Sequence, residues 1–441
     1  MKRYETYKDS GAEWIGEIPE SWKGVNLKWI SNITKGKKPK VDFDENGENL
    51  LPYLSMEFLR GKTSNPTYAS IEEKGLVHID DGDILILWDG SKAGEIVKAK
   101  KGILSSTMAK IEINDNNFES NYLNYLLQLG ERHVQEHTIG MGIPHVSGDI
   151  LKMLPMLVPS PQEQTQIAAY LDYKTGLIDS IIAQKEALIK KLKEQRQAII
   201  NEAVTKGLNK DVKLKDSGIE WLGEIPEHWE VCRFRYKFDT TKGLTITKAN
   251  LQDEGIPCVN YGEIHSRYGF EVNPEVHNLK YVSEEYLETN KGSLLSKGDF
   301  VFADTSEDIE GAGNFTHLNS DIPTFAGYHT IIARLNDNSD FRFIAYFMDS
   351  SSYRSQIQNL VKGVKVYSIT NKILKDSILF FPPKLEQKMI AEYIDNKVKK
   401  IFMSTEKLEK SIKKLKEYRQ SLISEAVTGK IDVRDWQAPK S

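Results

Sequence analysis

The sequence is poor in cysteine, in long hydrophobic runs and in net charge. Its 441 residues include only two cysteines, Cys232 and Cys258, too few for a disulfide framework or a four-ligand zinc site. No segment approaches the ~18 consecutive apolar residues of a membrane-spanning helix, and residues 1–8 lack the apolar stretch of a signal peptide. We therefore expect a cytoplasmic protein without membrane attachment.

Charge is nearly balanced, with 59 Lys and Arg residues against 63 Asp and Glu residues and a formal net charge of −4. This balance excludes a uniformly basic surface, so any contact with nucleic acid must come from local patches. Hydrophobic residues make up 39% of the chain and charged residues 28%. The length predicts about two to four domains, and the polarity favours a long exposed helix or several small domains over one compact globule.

The chain contains an internal duplication. Residues 8–22 and 215–229 are identical at twelve of fifteen positions, and the match extends to the Thr-Lys-Gly sequences at 34–36 and 241–243. A second repeat relates 163–205 to 386–428, with 22 identities over 43 positions. Between these anchors the two copies barely resemble each other. The chain is therefore a tandem duplication, in which the two copies share their flanking motifs and differ in the segments between them.

The second repeat is predicted to be helical. Pro161 precedes the first copy and Gly207 follows it, as expected at helix boundaries. With Ile178 as heptad position a, apolar residues recur in a stripe that requires a partner. The two copies are favoured to pair with each other, and packing of each on its own domain is the alternative. The stripe residues are Ile178, Lys185, Leu192 and Ile199 at a, Ile181, Ile182, Leu188 and Ile189 at d and e, and in the second copy Ile401, Leu408, Ile412, Leu415, Tyr418 and Leu422.

Gly176 predicts a break between a shorter helix over 163–174 and the long helix that follows. The variable middles, about 23–157 and 230–381, are predicted to be mixed α/β domains. Strands are expected at 83–88, 299–303 and 378–381, and helices at 122–129 and 341–348.

The sequence contains no GxxxxGK[ST] phosphate loop, no HExxH motif and no CxxC pair. We therefore assign no catalytic, cofactor-binding or metal-binding residue.

Loop composition points instead to contacts with DNA phosphates, which require ammonium groups, hydroxyls and glycine-exposed backbone N–H groups. A solvated turn is the alternative reading for each loop. Further candidate loops lie at 89–94, 140–146, 328–330 and 363–368. The candidate DNA-binding residues are Lys35, Lys37, Lys38 and Lys40 in the first copy, Thr241, Lys242, Thr245, Thr247 and Lys248 at the corresponding place in the second, and Ser91, Lys92, Lys365 and Tyr367 in the other loops.

Taken together, the motifs resemble those of the specificity subunits of type I restriction–modification systems. The resemblance is carried by the repeated W-[IL]-G-E-I-P-E-x-W start at 14–22 and 221–229, and by EQ-x-x-IA-x-Y-[LI]-D leading into KKLKE-x-RQ. It covers essentially the whole chain. The residues that carry the second motif are Pro161, Glu163, Gln164, Ile167, Ala168 and Tyr170, with their copies Pro383, Glu386, Gln387, Ile390, Ala391 and Tyr393.

The resemblance implies an α+β protein with two mixed α/β target-recognition domains in tandem, separated by two long helices in an antiparallel coiled coil. The implied domains are 1–161 and 208–383 for recognition, with helical spacers at 162–207 and 384–441. Each domain would read one half of an asymmetric bipartite target in double-stranded DNA. The helices would set the spacing between the half-sites.

The resemblance also implies partners: two adenine methyltransferase (modification) subunits and, in the full complex, ATP-driven restriction and translocase subunits. S-adenosylmethionine, ATP and Mg²⁺ would belong to those partners, with no cofactor in this chain. Two alternatives remain. One is a self-contained DNA methyltransferase or nuclease with fused recognition domains, and the other is a coiled-coil scaffold that binds only proteins.

Overall fold

The computed structural model of the chain describes residues 2–61, 63–140, 142–219, 223–361 and 366–439. The candidate Lys365 lies outside these residues. The chain divides into two units, of which unit 1 comprises residues 1–185 and 409–441 and unit 2 comprises residues 186–408. The domain boundaries inferred from the sequence, after residues 161, 207 and 383, stay a prediction.

The first half of the chain supplies the elements of unit 1 and ends in a long helix that continues into unit 2. These elements are β1 (Tyr7–Asp9), β2 (Glu17–Pro19), β3 (Lys23–Asn26), β4 (Ser31–Lys35), β5 (Leu50–Leu54), α1 (Met56–Leu59), β6 (Tyr68–Ser70), β7 (His78–Ile79), β8 (Ile84–Leu87), β9 (Ile96–Lys98), β10 (Gly102–Leu104), β11 (Met108–Ile113), α2 (Ser120–Glu136), α3 (Gly148–Lys152), β12 (Pro155–Val158) and α4 (Pro161–Lys206).

The second half supplies unit 2 and ends in a long helix whose last part belongs to unit 1. These elements are β13 (Leu214–Asp216), β14 (Glu224–Pro226), β15 (Glu230–Arg233), β16 (Phe238–Lys242), β17 (Ile256–Val259), α5 (Tyr261–Ser266), β18 (Phe270–Val272), β19 (Lys280–Val282), α6 (Tyr286–Thr289), β20 (Leu294–Leu295), β21 (Phe300–Ala303), β22 (Thr305–Ser306), β23 (Phe315–Leu318), β24 (Thr324–Ala326), β25 (Thr330–Leu335), α7 (Phe341–Asp349), α8 (Ser351–Leu360), β26 (Tyr367–Ser368), α9 (Asn371–Asp376), β27 (Ile378–Phe381) and α10 (Lys384–Val427).

The two units share a sheet topology that their divergent sequences conceal. In unit 1 the strand orders are β4-β11-β8-β9 and β6-β5-β10-β7. In unit 2 they are β16-β25-β21-β23-β18 and β19-β17-β24-β20, so the first sheet gains one edge strand. Strands β5 and β10 of unit 1 pair in parallel, as do the equivalent strands β17 and β24 of unit 2. The α+β class with two tandem domains is confirmed, and the predicted strands and helices of both middles are present.

The shared Thr-Lys-Gly sequence has a packing role. Gly36 and Gly243 follow β4 and β16, and their N–H groups donate to Met108 O and Thr330 O at 3.0 and 3.1 Å. A Cβ at Gly36 would lie 2.1 Å from the carbonyl oxygen of Ser105, and one at Gly243 only 2.2 Å from a carbonyl oxygen. Both positions therefore admit only glycine, because the backbone of the neighbouring segment passes directly over them.

Helix α4 has 46 residues and α10 has 44. The predicted break at Gly176 is wrong, because α4 continues through it. Glycine costs a helix about 1 kcal/mol relative to alanine, and the burial of Leu171 and Ile178 on either side outweighs that cost. Among the described residues, no helix has the combination of length and apolarity that crossing a membrane requires.

The predicted stripe is correct at heptad position a and wrong at position d. Ile182 and Ile189, at position e, are buried, whereas Ile181 and Leu188, at position d, are 42% and 46% exposed. The same shift occurs in α10, where Tyr418 at position d is 51% exposed. Each helix therefore buries a face centred between a and e, which corresponds to the i, i+4, i+7 spacing of an α-helix.

The two long helices pack together within each unit. In unit 1 the Nε of Arg419 donates to Asp179 Oδ1 at 3.0 Å, and the amide of Gln166 donates to the carbonyl of Trp436. Since residue numbers fall along one partner as they rise along the other, the pairing is antiparallel, as predicted. In unit 2 the end of α4 and the start of α10 share a core formed by Ile200, Ala203, Val204, Ile390, Ala391 and Ile394.

The Gln of the repeated Glu-Gln sequence makes the same contact in both units. Gln164 Oε1 accepts from the backbone N–H of Glu119 at 2.8 Å, and Gln387 Oε1 accepts from that of Asp340 at 2.8 Å. Glu119 and Asp340 are the N-cap residues of α2 and α7. Each glutamine therefore ties the start of a long helix to the start of a domain helix.

The neighbouring Glu also makes a side-chain contact in both units, but with a different partner in each. Glu163 accepts from the hydroxyl of Tyr4 at 2.5 Å, and burial together with this contact raises the pKa of Tyr4. Glu386 accepts instead from the indole N–H of Trp229 at 3.3 Å and lies 2.7 Å from the Nε2 of His228. Both residues of the Glu-Gln motif are thus structural.

The N-terminal and C-terminal segments of the chain meet within unit 1. Lys2 Nζ lies 2.8 Å from Asp435 Oδ2. Gly429, with φ +70°, ends α10 and packs against Trp22, and its counterpart Gly207 ends α4 with φ +72°. A left-handed glycine at this position is a common helix stop. The end of α10 therefore closes onto the first opening motif as the end of α4 closes onto the second.

Candidate nucleic-acid interface

In unit 1, three loop segments meet beyond the end of β8. The N–H of Trp88 donates to Thr107 O at 2.8 Å, and its carbonyl accepts from the N–H of Val146 at 2.9 Å. The N–H of Gly90 donates to Pro144 O at 2.9 Å. Two of the candidate loops, 89–94 and 140–146, are therefore brought together. We call this region the loop edge of unit 1; it is formed by residues 88–94, 105–107 and 142–146.

Unit 2 has the equivalent arrangement beyond β21. The N–H of Asp304 donates to His329 O at 3.1 Å, and its carbonyl accepts from the N–H of Ile369 at 2.8 Å. Strand β26 pairs with β22, so Tyr367 lies opposite Ser306. The loop edge of unit 2 is formed by residues 304–311, 327–329 and 366–369. The same backbone frame thus presents a different set of side chains.

The loop edge of unit 1 carries cations beside an aromatic ring. Lys35, at the end of β4, pairs with Asp89 at 3.0 Å, and its ammonium group lies 5.5 Å from the centre of the Trp88 ring. Ser91 and Lys92 are exposed in the adjacent turn. Trp88 is not among the site residues predicted from the sequence, because it lies at the end of a predicted strand.

The lysine loop that follows β4 is exposed at Lys37, Lys38 and Lys40. The backbone N–H of Lys40 donates to the Glu73 carboxylate at 3.1 and 3.2 Å, which fixes the end of the loop. The ammonium groups of this loop therefore extend from an anchored backbone, with one carboxylate beside them.

The corresponding segment of unit 2 uses part of its hydroxyl content internally. Thr241 Oγ1 accepts from Arg334 Nη1 at 3.0 Å, and the Thr247 side chain forms a capping box with Asn250. The other three candidates of this segment, Lys242, Thr245 and Lys248, are exposed.

A groove of about 630 Å³ opens at the loop edge of unit 2. Its aromatic wall is Tyr261, whose ring lies 5.6 Å from that of Tyr328 and 5.3 Å from that of His329. Burial raises the pKa of Tyr328. Residues 328–330 were identified as a candidate loop, but Tyr261 was missed because its position, at the start of α5, depends on the tertiary fold.

The floor of this groove is held by His265. Its Nε2 lies 2.8 Å from Thr305 O and its Nδ1 lies 2.8 Å from Asn314 Nδ2, so Nε2 is assigned as the donor and Nδ1 as the acceptor. The rim carries the carboxylates of Glu307, Asp308 and Glu310. Within the described part of the chain, no group of three or more His, Cys, Asp or Glu side chains is placed to hold a metal ion.

Comparison with known proteins relates both units to one family. The family described as "Type I restriction modification DNA specificity domain" matches residues 19–191 and 226–414. The type I restriction enzyme MjaVIII specificity subunit of Methanocaldococcus jannaschii is 32% identical, with 95% of this chain and 95% of that protein covered. The EcoBI specificity subunit of Escherichia coli is 23% identical, with 96% and 88% covered. A solved chain described under "complex assembly" of "the type I R-M system" shares the fold, with a TM-score of 0.65 and 16% identity over 93% of this chain and 98% of that one. The chain therefore belongs to the family of type I restriction–modification specificity subunits.

Proposed function

We propose that this chain is the sequence-reading subunit of a DNA-modifying complex, in which each unit reads one half of an asymmetric bipartite target in double-stranded DNA. The observation that carries the proposal is the pair of loop edges. Equivalent backbone hydrogen bonds build both edges, yet one presents Lys35 and Trp88 and the other presents Tyr261 and His329. A conserved frame with divergent surface side chains suits two readers of different sequences.

In this proposal the lysine loop and Lys92 of unit 1 contact phosphates, as do Lys242, Lys248 and Thr245 of unit 2. Phosphate contacts position a protein on the duplex, and base-edge contacts from the loop edges specify the sequence. Lys35, which pairs with Asp89, lies between the lysine loop and the loop edge and contributes to both phosphate and base contacts.

The chain itself performs no methyl transfer or cleavage. The residues of its Glu-Gln motifs are engaged in contacts with Tyr4, Trp229 and the N-cap residues of α2 and α7. The modification subunits dock on the long helices, α4 and α10, which also set the spacer between half-sites. S-adenosylmethionine, ATP and Mg²⁺ are supplied by the partner subunits.

The test exchanges residues 23–157 for the corresponding region of the M. jannaschii relative, with the modification subunit co-expressed and methylated adenines mapped across the host genome. We expect one half of the methylated sequence to change and the other to remain. The reciprocal exchange of 230–381 is the matched control and should change the opposite half.

A change in both halves from one exchange would contradict independent reading by the two units. Methyl transfer by the purified chain alone, above the background of a heat-treated sample, would contradict the absence of catalysis. An active complex whose target is untouched by both exchanges would place sequence reading elsewhere.

A further inference from the structure

Three cavities of unit 2 are neighbours, because they share lining residues. The first is the groove at the loop edge, of about 630 Å³. His265 and Asn314 line both this cavity and a second one of about 290 Å³. Arg196 and Arg267 line both the second and a third one of about 630 Å³, which reaches α10. The three cavities therefore follow one another from the aromatic loop edge to the long helix of the same unit, and we call this row of cavities the groove.

The charge of the lining changes along this groove. Carboxylates dominate at the loop edge, where Glu307, Asp308 and Glu310 form the rim. The second and third cavities are lined by five cationic side chains, those of Arg196, Arg267, Arg342, Arg354 and Lys399. Base edges offer amino donors to carboxylates, whereas phosphates require cations. The two ends of the groove thus differ in the part of a nucleotide that they fit.

Two of the arginines are fixed by carboxylates. Arg196 Nη2 donates to Asp349 Oδ2 at 2.8 Å. Arg342 donates to Asp395 at 2.7 and 2.8 Å and also to Glu271, contacts that raise its pKa. Held in this way, the guanidinium groups keep a fixed orientation while further N–H donors remain available toward the groove.

Of the other three cations, Arg354 donates to the carbonyl oxygen of Glu310 and to Asn314 Oδ1, both at 2.6 Å, and the remaining two supply the unbalanced charge. Arg267, directly after α5, and Lys399, on α10, are exposed, and within the described residues neither forms an ion pair. Phe402, one turn after Lys399, is 66% exposed at the same cavity. A cation beside an exposed aromatic ring is a composition typical of nucleic-acid contacts.

We infer that this arginine-lined part of the groove binds the phosphodiester backbone of the DNA strand whose bases meet the loop edge of unit 2. The inference rests on the proposed function and adds a binding surface to it. Tyr261 begins α5 and Arg267 follows its end, about 9 Å away at 1.5 Å per residue. At 3.4 Å of rise per nucleotide, the phosphates bound by Arg267 lie about two to three nucleotides from the base at Tyr261.

The exposed cation and aromatic ring that α10 contributes to this groove are not repeated in α4 of unit 1. The repeat places Gly176 at the position of Lys399 and Asp179 at that of Phe402, and Asp179 pairs with Arg419. Unit 1 instead has the lysine loop after β4. The corresponding segment of unit 2, after β16, contains the buried Leu244 and several hydroxyl side chains. In addition to the lysines after β16, unit 2 therefore has phosphate-binding cations in a part of the frame where unit 1 has Gly176 and Asp179.

The experiment measures DNA affinity across salt concentrations for the full chain in complex with its modification subunit, with a duplex containing the mapped target. Replacing Arg267 and Lys399 together by glutamine (R267Q/K399Q) removes two cations without removing a core side chain. We expect the slope of log K against log salt to fall by about 1.8, and affinity in 0.1 M salt to fall about 60-fold for every sequence alike. The matched control, K388Q/K407Q, removes two exposed lysines of α10 outside the groove and should leave the slope near that of the parent.

An unchanged slope in R267Q/K399Q, with the parent complex still reading its target, would overturn this inference and leave the proposed function standing. A lost capacity to bind the modification subunit at unchanged DNA affinity would also overturn it, since the groove would then accept an acidic polypeptide. Loss of one half-site preference without a change in slope would assign the two residues to base reading and equally overturn it. Failure of the parent complex to prefer any sequence would instead contradict the proposed function.

Discussion

Units 1 and 2 have the same strand order and the same Gln contact to a helix start, yet opposite charge at the loop edge. In unit 1 the edge is built around Lys35 and Lys92, and in unit 2 around Tyr261 and three carboxylates. The comparison shows which residues a duplicated recognition module must keep. They include the residues that join the long helix to the domain and the glycines that follow β4 and β16, whereas the side chains beyond β8 and β21 differ.

The units also differ in how strongly a domain helix is attached to its long helix. In unit 1 the hydroxyl of Tyr125 donates to Asp172 at 2.7 Å, and burial raises the pKa of Tyr125 to about 12. In unit 2 the equivalent Asp395 accepts from Tyr346 and also from Arg342. The common tyrosine–aspartate contact has thus become, in unit 2, part of an ionic network.

The largest expected difference between the units concerns acid. His317, buried in unit 2, donates from Nδ1 to Phe270 O, and burial lowers its pKa to about 4, below the usual value of 6.5. Glu271, at 3.7 Å, opposes this shift and Arg342 favours it. Above pH 7 the imidazole is neutral in both the folded and unfolded states. As the pH falls from 6.5 toward 4, His317 binds a proton in the unfolded chain but stays neutral in the folded one. The free energy of unfolding of unit 2 therefore falls by up to about 3 kcal/mol.

His317→Asn keeps a side-chain amide donor for Phe270 O and removes the titration. We expect the variant to be less stable than the parent at pH 7, because it leaves a cavity, but to lose less stability between pH 7 and pH 4. The measurement is hydrogen exchange of strands β21 and β23 against that of β8 and β9 in unit 1. If exchange protection in unit 2 falls equally with pH in the parent and in the variant, His317 is not the cause of the acid sensitivity of unit 2.

A smaller difference is expected from the aspartates on the long helices. Asp395→Asn leaves Arg342 with only one of its two carboxylate partners. We expect the free energy of unfolding of unit 2 to fall by about 2 kcal/mol, a moderate loss because the site is partly exposed to solvent. Asp172→Asn weakens one hydrogen bond, and Tyr125 keeps Thr175 as a partner at 3.1 Å, so the loss in unit 1 should be at most about 1 kcal/mol. Exchange protection of α7 and of α2 reports the two effects separately. Equal losses in the two variants would mean that the ionic network adds nothing.

The fold could be predicted well wherever the sequence repeats itself. The duplication followed from repeated residues, and the long helices followed from the spacing of their apolar residues. The strand at 299–303 followed from a short apolar run between turn residues. The choice between positions d and e could not be predicted, since it depends on which side of the helix the partner lies. The common topology of the two middles was equally hidden, because it is maintained by backbone pairing and by two glycines at 36 and 243 rather than by similar side chains.

The candidate site could be predicted only in part. Lysine and hydroxyl content identified the segments after β4 and β16, and glycine-rich loops identified 89–94 and 140–146. The aromatic wall at Tyr261 and the cations Arg267 and Lys399 gave no sequence signal, because residues far apart in the chain line the same groove only in the folded unit. Sequence spacing predicts which residues are neighbours within one helix or strand, but not which residues of different elements lie together.

The smallest expected effect concerns the glycine inside α4. Gly176 in α4 corresponds to Lys399 in α10, and a Cβ at Gly176 would meet nothing within 4 Å. Gly176→Ala should therefore stabilise unit 1 by up to about 1 kcal/mol and raise its melting temperature by about 2–4 °C, because alanine loses less backbone entropy in a helix. Gly130→Ala in α2 is the matched control, since its Cβ would lie 3.0 Å from Leu154 Cδ1 and should give no gain. Calorimetry of the two variants beside the parent measures both effects. A lower melting temperature for Gly176→Ala would mean that unit 1 depends on a flexible point in α4 that its copy in unit 2 does not need.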